Sequence, residues 1–227
     1  MTALSELAAL GEPALAVADP ARRLLAVACA DEYGDAMTLG LFETGARPRL
    51  LRRTDCAYPV HALAFHPGKP LLAVGIGDYD GGYHFEGQLL LLGLDNGTER
   101  AMFAHDWGRQ VLAAEWLDDT RLRLHLAPHD DYKDDAAHRE AHVVVLECPD
   151  WVSALGRTVP DDRLRGPRVP FPRPDHRSAD HRSAEHRSAE HRSAEHRSPD
   201  HRSPDHRSAA RELANRLLDP PAGRHHR

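Results

Sequence analysis

The feature that most constrains this chain is a unit of about fifty residues that recurs three times. Its clearest copy, from Val60 to Gly97, reads VHALAFHPGKPLLAVGIGDYDGGYHFEGQLLLLGLDNG. Three apolar runs stand there in fixed order with turn residues between them. The same order returns in ALAVADPARRLLAVACADEYGDAMTLGLF from Ala14 and in QVLAAEWLDDTRLRLHLAPHDDYKDDAAHREAHVVVLE from Gln110. Pro20 and Pro67 occupy one turn of the pattern, and WLDDT, Trp116 to Thr120, fills that turn in the third copy. Units that cannot bury an apolar face alone stack on their neighbours, so the copies are expected to share continuous cores.

Within the central copy, Val60 to Phe65 alternates small and large apolar residues, and HPGKP, His66 to Pro70, makes a tight turn pre-set by its prolines and glycine. Leu71 to Val74 contains no polar residue and reads as a strand buried on both faces. Gly87 to Leu94 is a third strand, closed by Asp95, Asn96 and Gly97 as a hairpin signal. Arg100 to Ala104 supplies an outer fourth strand. Four antiparallel strands of this kind form one blade of a β-propeller.

The run ALAFHP…LLAVG…GQLLLLGLDNG resembles the blade pattern of the WD40 repeat family, and the likeness extends over roughly residues 11–155. The Gly-His and Trp-Asp dipeptides typical of that family are absent from every copy. The expected fold is therefore all-β: a partial WD40-like β-propeller of about three four-stranded antiparallel blades. Three blades do not close a ring, which leaves strand edges to protect. The expectation is an open arc that self-associates or is marginally stable.

Residues 1–159 carry a net charge of −10 and the remainder +4. The acidic part should repel phosphates, so no nucleic-acid partner is expected. Arginine outnumbers lysine 27 to 2, which fits codon usage in a GC-rich genome rather than a binding adaptation. Cys29, Cys56 and Cys148 have neither metal nor redox spacing, which fits a reduced, cytoplasmic chain. The opening MTALSELAALGEP lacks the basic segment and apolar core of a signal peptide, and no apolar run reaches bilayer length, so no membrane association is expected.

Beyond the third copy the pattern stops. Residues 156–174, rich in proline and arginine, read as an extended linker. Residues 175–209 are seven copies of a five-residue repeat, [DE]-H-R-S-[AP], with only Ala and Pro as apolar members. That composition cannot bury enough surface to order itself, and disorder is expected. Its histidines would gain charge below about pH 6.5 and could hold soft divalent metals loosely. Near-identical tandem copies fit better a DNA duplication with no selected role. Residues 210–227 are expected to hold a short helix with Leu213, Leu217 and Leu218 on one side and Ser208 as N-cap; ten residues are marginal alone, so a frayed helix is expected, with docking elsewhere on the protein as the alternative.

The loop after the second strand of each copy carries acids and a tyrosine: Asp31, Glu32, Tyr33 and Asp35; then Asp78, Tyr79 and Asp80; then Asp130, Asp131, Tyr132, Asp134 and Asp135. Blade geometry would place these loops on one face. From them the expected partner-binding set is Tyr33, Asp35, Asp78, Tyr79, Asp80, Tyr83, Asp131, Tyr132 and Asp134, an acidic rim suited to a protein or a basic peptide. The competing reading is that Asp and Gly are simply good loop residues and each tyrosine packs its own blade.

Catalysis and cofactors find little footing. GIGDYDGG imitates a dinucleotide loop, but its third glycine is displaced and a strand follows it. His138, Glu140 and His142 in HREAH lack the metalloprotease order and a third ligand, so surface histidines are expected. Residues 1–159 contain only Ser5 and Ser153, neither in a nucleophile-elbow motif. The function expected is a non-enzymatic interaction scaffold with no cofactor and no bound metal. The alternatives are a small-molecule or divalent-metal-binding propeller using loop carboxylates and His84, or a truncated propeller without independent activity.

Overall fold

A computed structural model describes residues 2–31, 35–104, 108–153, 157–171 and 204–219. Helix α1, Ala3–Leu10, opens the chain with a capping box between Thr2 and Ser5. Twelve strands follow: β1 Glu12–Asp19, β2 Leu24–Ala30, β3 Thr38–Glu43, β4 Arg49–Asp55, β5 Val60–Phe65 and β6 Leu71–Tyr79. The remainder are β7 Phe85–Gly93, β8 Glu99–Ala101, β9 Val111–Trp116, β10 Arg121–Leu126, β11 Glu140–Glu147 and β12 Arg168–Pro170. Helix α2, Pro204–Leu218, is the last element described.

The strands form three four-stranded antiparallel sheets in meander order, β1-β2-β3-β4, β5-β6-β7-β8 and β9-β10-β11-β12. Strand β5 packs against both β1 and β9, so the first strands of consecutive sheets are neighbours. The three meanders, with their first strands side by side, have the arrangement of blades in a partial β-propeller.

Two cores lie between the sheets. Ala26, Ala28, Leu39 and Leu41 of blade one meet Leu72, Val74, Ile76, Leu90 and Leu92 of blade two. The other face of blade two, with Leu71, Ala73, Leu89 and Leu91, meets Leu122, Leu124, Leu126, Val144 and Leu146 of blade three. Because β2 and β6 are covered on both faces, their sequences LLAVACA and LLAVGIG are apolar throughout. Strand β10, RLRLHL, buries only its leucines, and Arg121, Arg123 and His125 face away from blade two. The outer face of blade three is thus charged and mixed, with Arg123 paired to Glu115 and Val145 exposed.

The outer face of blade one is apolar and is covered by the helices. Leu25, Val27, Cys29 and Phe42 pack with Ala3, Leu7 and Leu10 of α1 and with Ala214 and Leu218 of α2. This corrects the expectation of a frayed terminal helix. A marginal helix is stabilised by docking an apolar stripe, and the outer face of blade one supplies the surface. The helix also begins at Pro204 rather than near Ser208, since proline at a first helical position forfeits no hydrogen bond. It therefore includes residues assigned from sequence to the pentapeptide repeat. Repeat residues up to 203 lie outside the described residues.

The fourth strand of blade three lies at Arg168–Pro170, inside the segment expected to be a linker and past the expected propeller end at 155. Between β11 and β12 the chain keeps returning to the core. Trp151 is buried with its Nε1 donating to the Thr120 carbonyl at 3.1 Å. The Val159 N–H donates to the Met102 carbonyl, and Leu164, on a 3-10 turn at Asp161–Leu164, is fully buried.

The glycines of GIGDYDGG have a packing reason. A Cβ at Gly75 would lie 2.6 Å from Val111 Cγ1, and one at Gly77 would lie 2.5 Å from the Gln110 Cα, so both permit β9 to approach β6. Gly77→Ala is expected to destabilise the protein by about 1–3 kcal/mol through overpacking, read as a lowered urea midpoint with unchanged slope.

On the end of the blades opposite the acidic loops, the turns after each first strand are stitched together by His66. Its side chain is fully buried. Its Nδ1 accepts from the N–H groups of Gly68 (3.0 Å) and Lys69 (2.9 Å), which leaves Nε2 as the donor to the Asp119 carbonyl at 3.0 Å. Arg22 of blade one donates to the carbonyls of His66 and Pro67 while pairing with Asp19. One neutral imidazole thus ties the turns of blades two and three, and its own carbonyl receives blade one.

Candidate loop face on blades two and three

The loops after β6 and β10 meet edge to edge. His84 and Asp130 form an antiparallel bridge, the Phe85 N–H donates to the His129 carbonyl at 3.1 Å, and the Asp131 N–H donates to the Tyr83 carbonyl at 2.9 Å. The hairpin of blade two is therefore extended across to blade three, and the side chains of the two loops form one surface.

Tyr79, a candidate contact residue, is turned inward. Its single hydroxyl proton is shared between the Gly82 carbonyl at 2.7 Å and Asp131 Oδ2 at 2.8 Å, and its ring packs against Phe85 and His138. Burial and the adjacent Asp131 carboxylate push this phenol up to about 12. Asp131 also accepts from His138 Nε2 at 2.9 Å, and that hydrogen bond foremost holds its carboxyl below the ordinary range. His138, singled out from HREAH, is thus a partner of Asp131, whereas His142 Nδ1 lies 2.8 Å from the Gly166 carbonyl.

The other carboxylates are engaged in the same way. Asp78 accepts from the Tyr79 N–H at 2.8 Å. Asp80 caps its own hairpin, accepting from the N–H groups of Gly82 (2.7 Å) and His84 (3.0 Å); burial opposes its ionisation, but these bonds hold its carboxyl low. Asp134 pairs with Arg168 at 2.6 Å, which lowers it, and accepts from the Ala136 N–H. Arg168 also pairs with Glu140 at 3.1 Å. Asp80, Asp131 and Asp134 are thus held as ionised acceptors by hydrogen bonds within the protein.

Asp35 closes the loop of blade one: its N–H donates to Asp31 Oδ1, and its carbonyl accepts from Asp31 and Met37. Tyr33 lies outside the described residues. The structure therefore brings together the candidates of blades two and three, and the described hydrogen bonds of Asp35 remain within its own loop.

Two tyrosines of the candidate set project into solvent beside the exposed Asp80. Tyr83 is 59% exposed and Tyr132 63%, with their rings edge to face at 6.0 Å. Lys133 places its ammonium 5.0 Å from the Tyr132 ring centroid, so that ring already receives a cation. Around the pair, residues 78–86 and 127–140 hold eight acidic side chains against Lys133 and Arg139. Sequence could identify both tyrosines, one blade repeat apart, but not their pairing, which depends on the bridge between the loops. Among the described residues, no group of three or more His, Cys, Asp or Glu side chains is arranged to hold a metal ion. No described helix is long and apolar enough to cross a membrane.

Solved structures are among the proteins to which this chain is similar. The β-propeller domain of Cps50 (Swd1) from Myceliophteria thermophila matches 59% of this chain and 52% of its own, at 10% identity and a TM-score of 0.29. The chain thus spans about half the length of that solved propeller. No family model matches the sequence. No curated protein matches it either. The architecture above stands on the topology and packing of the sheets.

Proposed function

We propose that this chain is a non-enzymatic interaction scaffold whose loop face on blades two and three receives a protein or peptide with basic side chains. The observation that carries this reading is the exposed Tyr83–Tyr132 pair, set in a strongly acidic loop region on a backbone fixed by cross-blade hydrogen bonds. Rigid tyrosines give contact area at low entropic cost, and surrounding acids select cations and speed encounter. Asp78, Asp80, Asp131 and Asp134 contribute charge and shape to this face, with Tyr79 beneath it as support. The small-molecule and divalent-metal readings have less support, because these carboxylates are committed to internal hydrogen bonds.

The test is a synthetic peptide library of graded charge screened on the immobilised full-length protein. Basic peptides should be retained, and Tyr83→Ala with Tyr132→Ala should weaken their capture at least about tenfold while leaving thermal stability nearly unchanged. Charge-independent retention, or retention unaffected by the double substitution, would refute the assignment.

Self-association has less apolar surface to drive it than an unprotected arc would offer, since blade one is covered by helices and the outer face of blade three is charged. Sedimentation velocity is expected to give a monomer at micromolar concentration. A concentration-dependent dimer would show that a blade end is in use.

A further inference from the structure

The two helices over blade one are held in different ways. Helix α1 is joined directly to β1 through Gly11, and Glu6 accepts a hydrogen bond from the Leu50 N–H of β4 at 3.0 Å. Helix α2 reaches the same place across residues 172–203. At about 3.3–3.6 Å per residue, that stretch of chain has a contour length on the order of 100 Å. A span of that length does not by itself fix α2 against blade one.

The seat of α2 is a shallow trough between α1 and the outer faces of β1 and β2. Small residues line its floor, with Ala16 and Ala18 beside Leu25 and Val27. The helix packs Ala214 and Leu218 into it, with Leu213 and Leu217 partly buried alongside, and Ala210, four residues before Ala214, is buried as well. Alanine against alanine permits close approach, while the leucines fill the flanks. At the edge, Arg211 pairs with Glu12. The pattern is that of an amphipathic helix laid in an apolar groove, a common mode of recognition between proteins.

We propose that this trough is a helix-binding site with α2 as its resident occupant, and that an amphipathic helix of the same chemistry from a partner protein competes for it. The competing helix would carry small residues at its first and fifth contact positions, leucines at the fourth, eighth and ninth, and a cation facing Glu12. Displacement would free α2 from blade one.

The probe is a fluorescent synthetic peptide of residues 204–219, added to the full-length protein. Binding should be weak in the unaltered chain and at least tenfold tighter in Ala214→Pro, where α2 cannot compete. Tyr83→Ala with Tyr132→Ala should leave this binding unchanged, which separates the trough from the loop face. Equal affinity for both chains, or no binding by an Ala214→Pro protein with native strand content, would overturn the proposal. Hydrogen exchange on the unaltered protein decides the matter should Ala214→Pro not fold. Amides of residues 207–218 should then exchange while β2 and β6 stay protected, whereas exchange of all three at one common rate would contradict a displaceable helix.

Discussion

Phe42→Ala is expected to lower the free energy of unfolding by about 3–5 kcal/mol, read from urea denaturation. Phe42 lies on the outer face of blade one and is fully buried only because α1 and α2 cover that face. Were the helices frayed, Phe42 would stand in solvent, and its loss would cost well under 1 kcal/mol. The measurement therefore tests the cover rather than the strand. Its neighbour Gly40 has room only for hydrogen, since a Cβ there would lie 2.5 Å from Leu10 Cδ1 and 2.7 Å from Phe42 Cε2.

His66→Ala is expected to cost about 3 kcal/mol or more. The substitution leaves the N–H groups of Gly68 and Lys69 and the Asp119 carbonyl without their buried partner, and it opens a space against Trp116, whose ring centroid is 4.4 Å away. The residue also predicts a pH dependence. Burial foremost lowers the pKa of His66, with Arg22 and Lys69 acting in the same direction and Asp119 opposing them. The unfolded chain consequently binds a proton that the folded chain refuses. Stability should be full above about pH 6.5 and fall as the pH drops from there through the folded value. Burial depresses His125 in the same direction, so His66→Ala should flatten the acid limb without abolishing it. An unfolding free energy constant between pH 7 and pH 5 would contradict a neutral, buried imidazole.

Much of the fold was legible in the sequence because its period is long and its strands are punctuated. The turn at HPGKP and the hairpin at Asp95–Gly97 placed β5 to β8 within a few residues. The stacking order was legible too, although the repeat pattern alone did not reveal it. LLAVACA and LLAVGIG admit no charge because both faces are covered, whereas RLRLHL alternates because one face meets solvent. What escaped was the non-periodic remainder. Strand β12 is a three-residue edge strand that ends in proline, and its signal is lost among prolines that resemble a linker. Helix α2 looked marginal because its stabilising partner, the outer face of blade one, lies some two hundred residues away in sequence.

The candidate face was legible in its residue types and less so in their roles. Loop position drew attention to these carboxylates and tyrosines, and the loops of blades two and three lie side by side. Whether an aspartate faces a partner or its own backbone depends on turn geometry: Asp80 and Asp134 became caps and ion-pair members, and Asp131 became the acceptor for Tyr79 and His138. Tyr83 and Tyr132, at the loop tips, remained outside.

The layers run in the order helices, blade one, blade two, blade three, solvent. Native thiol labelling of variants that each carry one introduced cysteine, made in a Cys148→Ala background whose remaining Cys29 and Cys56 are buried, tests this order directly. Positions 72 and 73 on β6 should both be protected, since each faces a core, and on β10 position 123 should label rapidly while position 124 stays protected. Rapid labelling at one of the two β6 positions, or protection of both β10 positions, would contradict the layered arc.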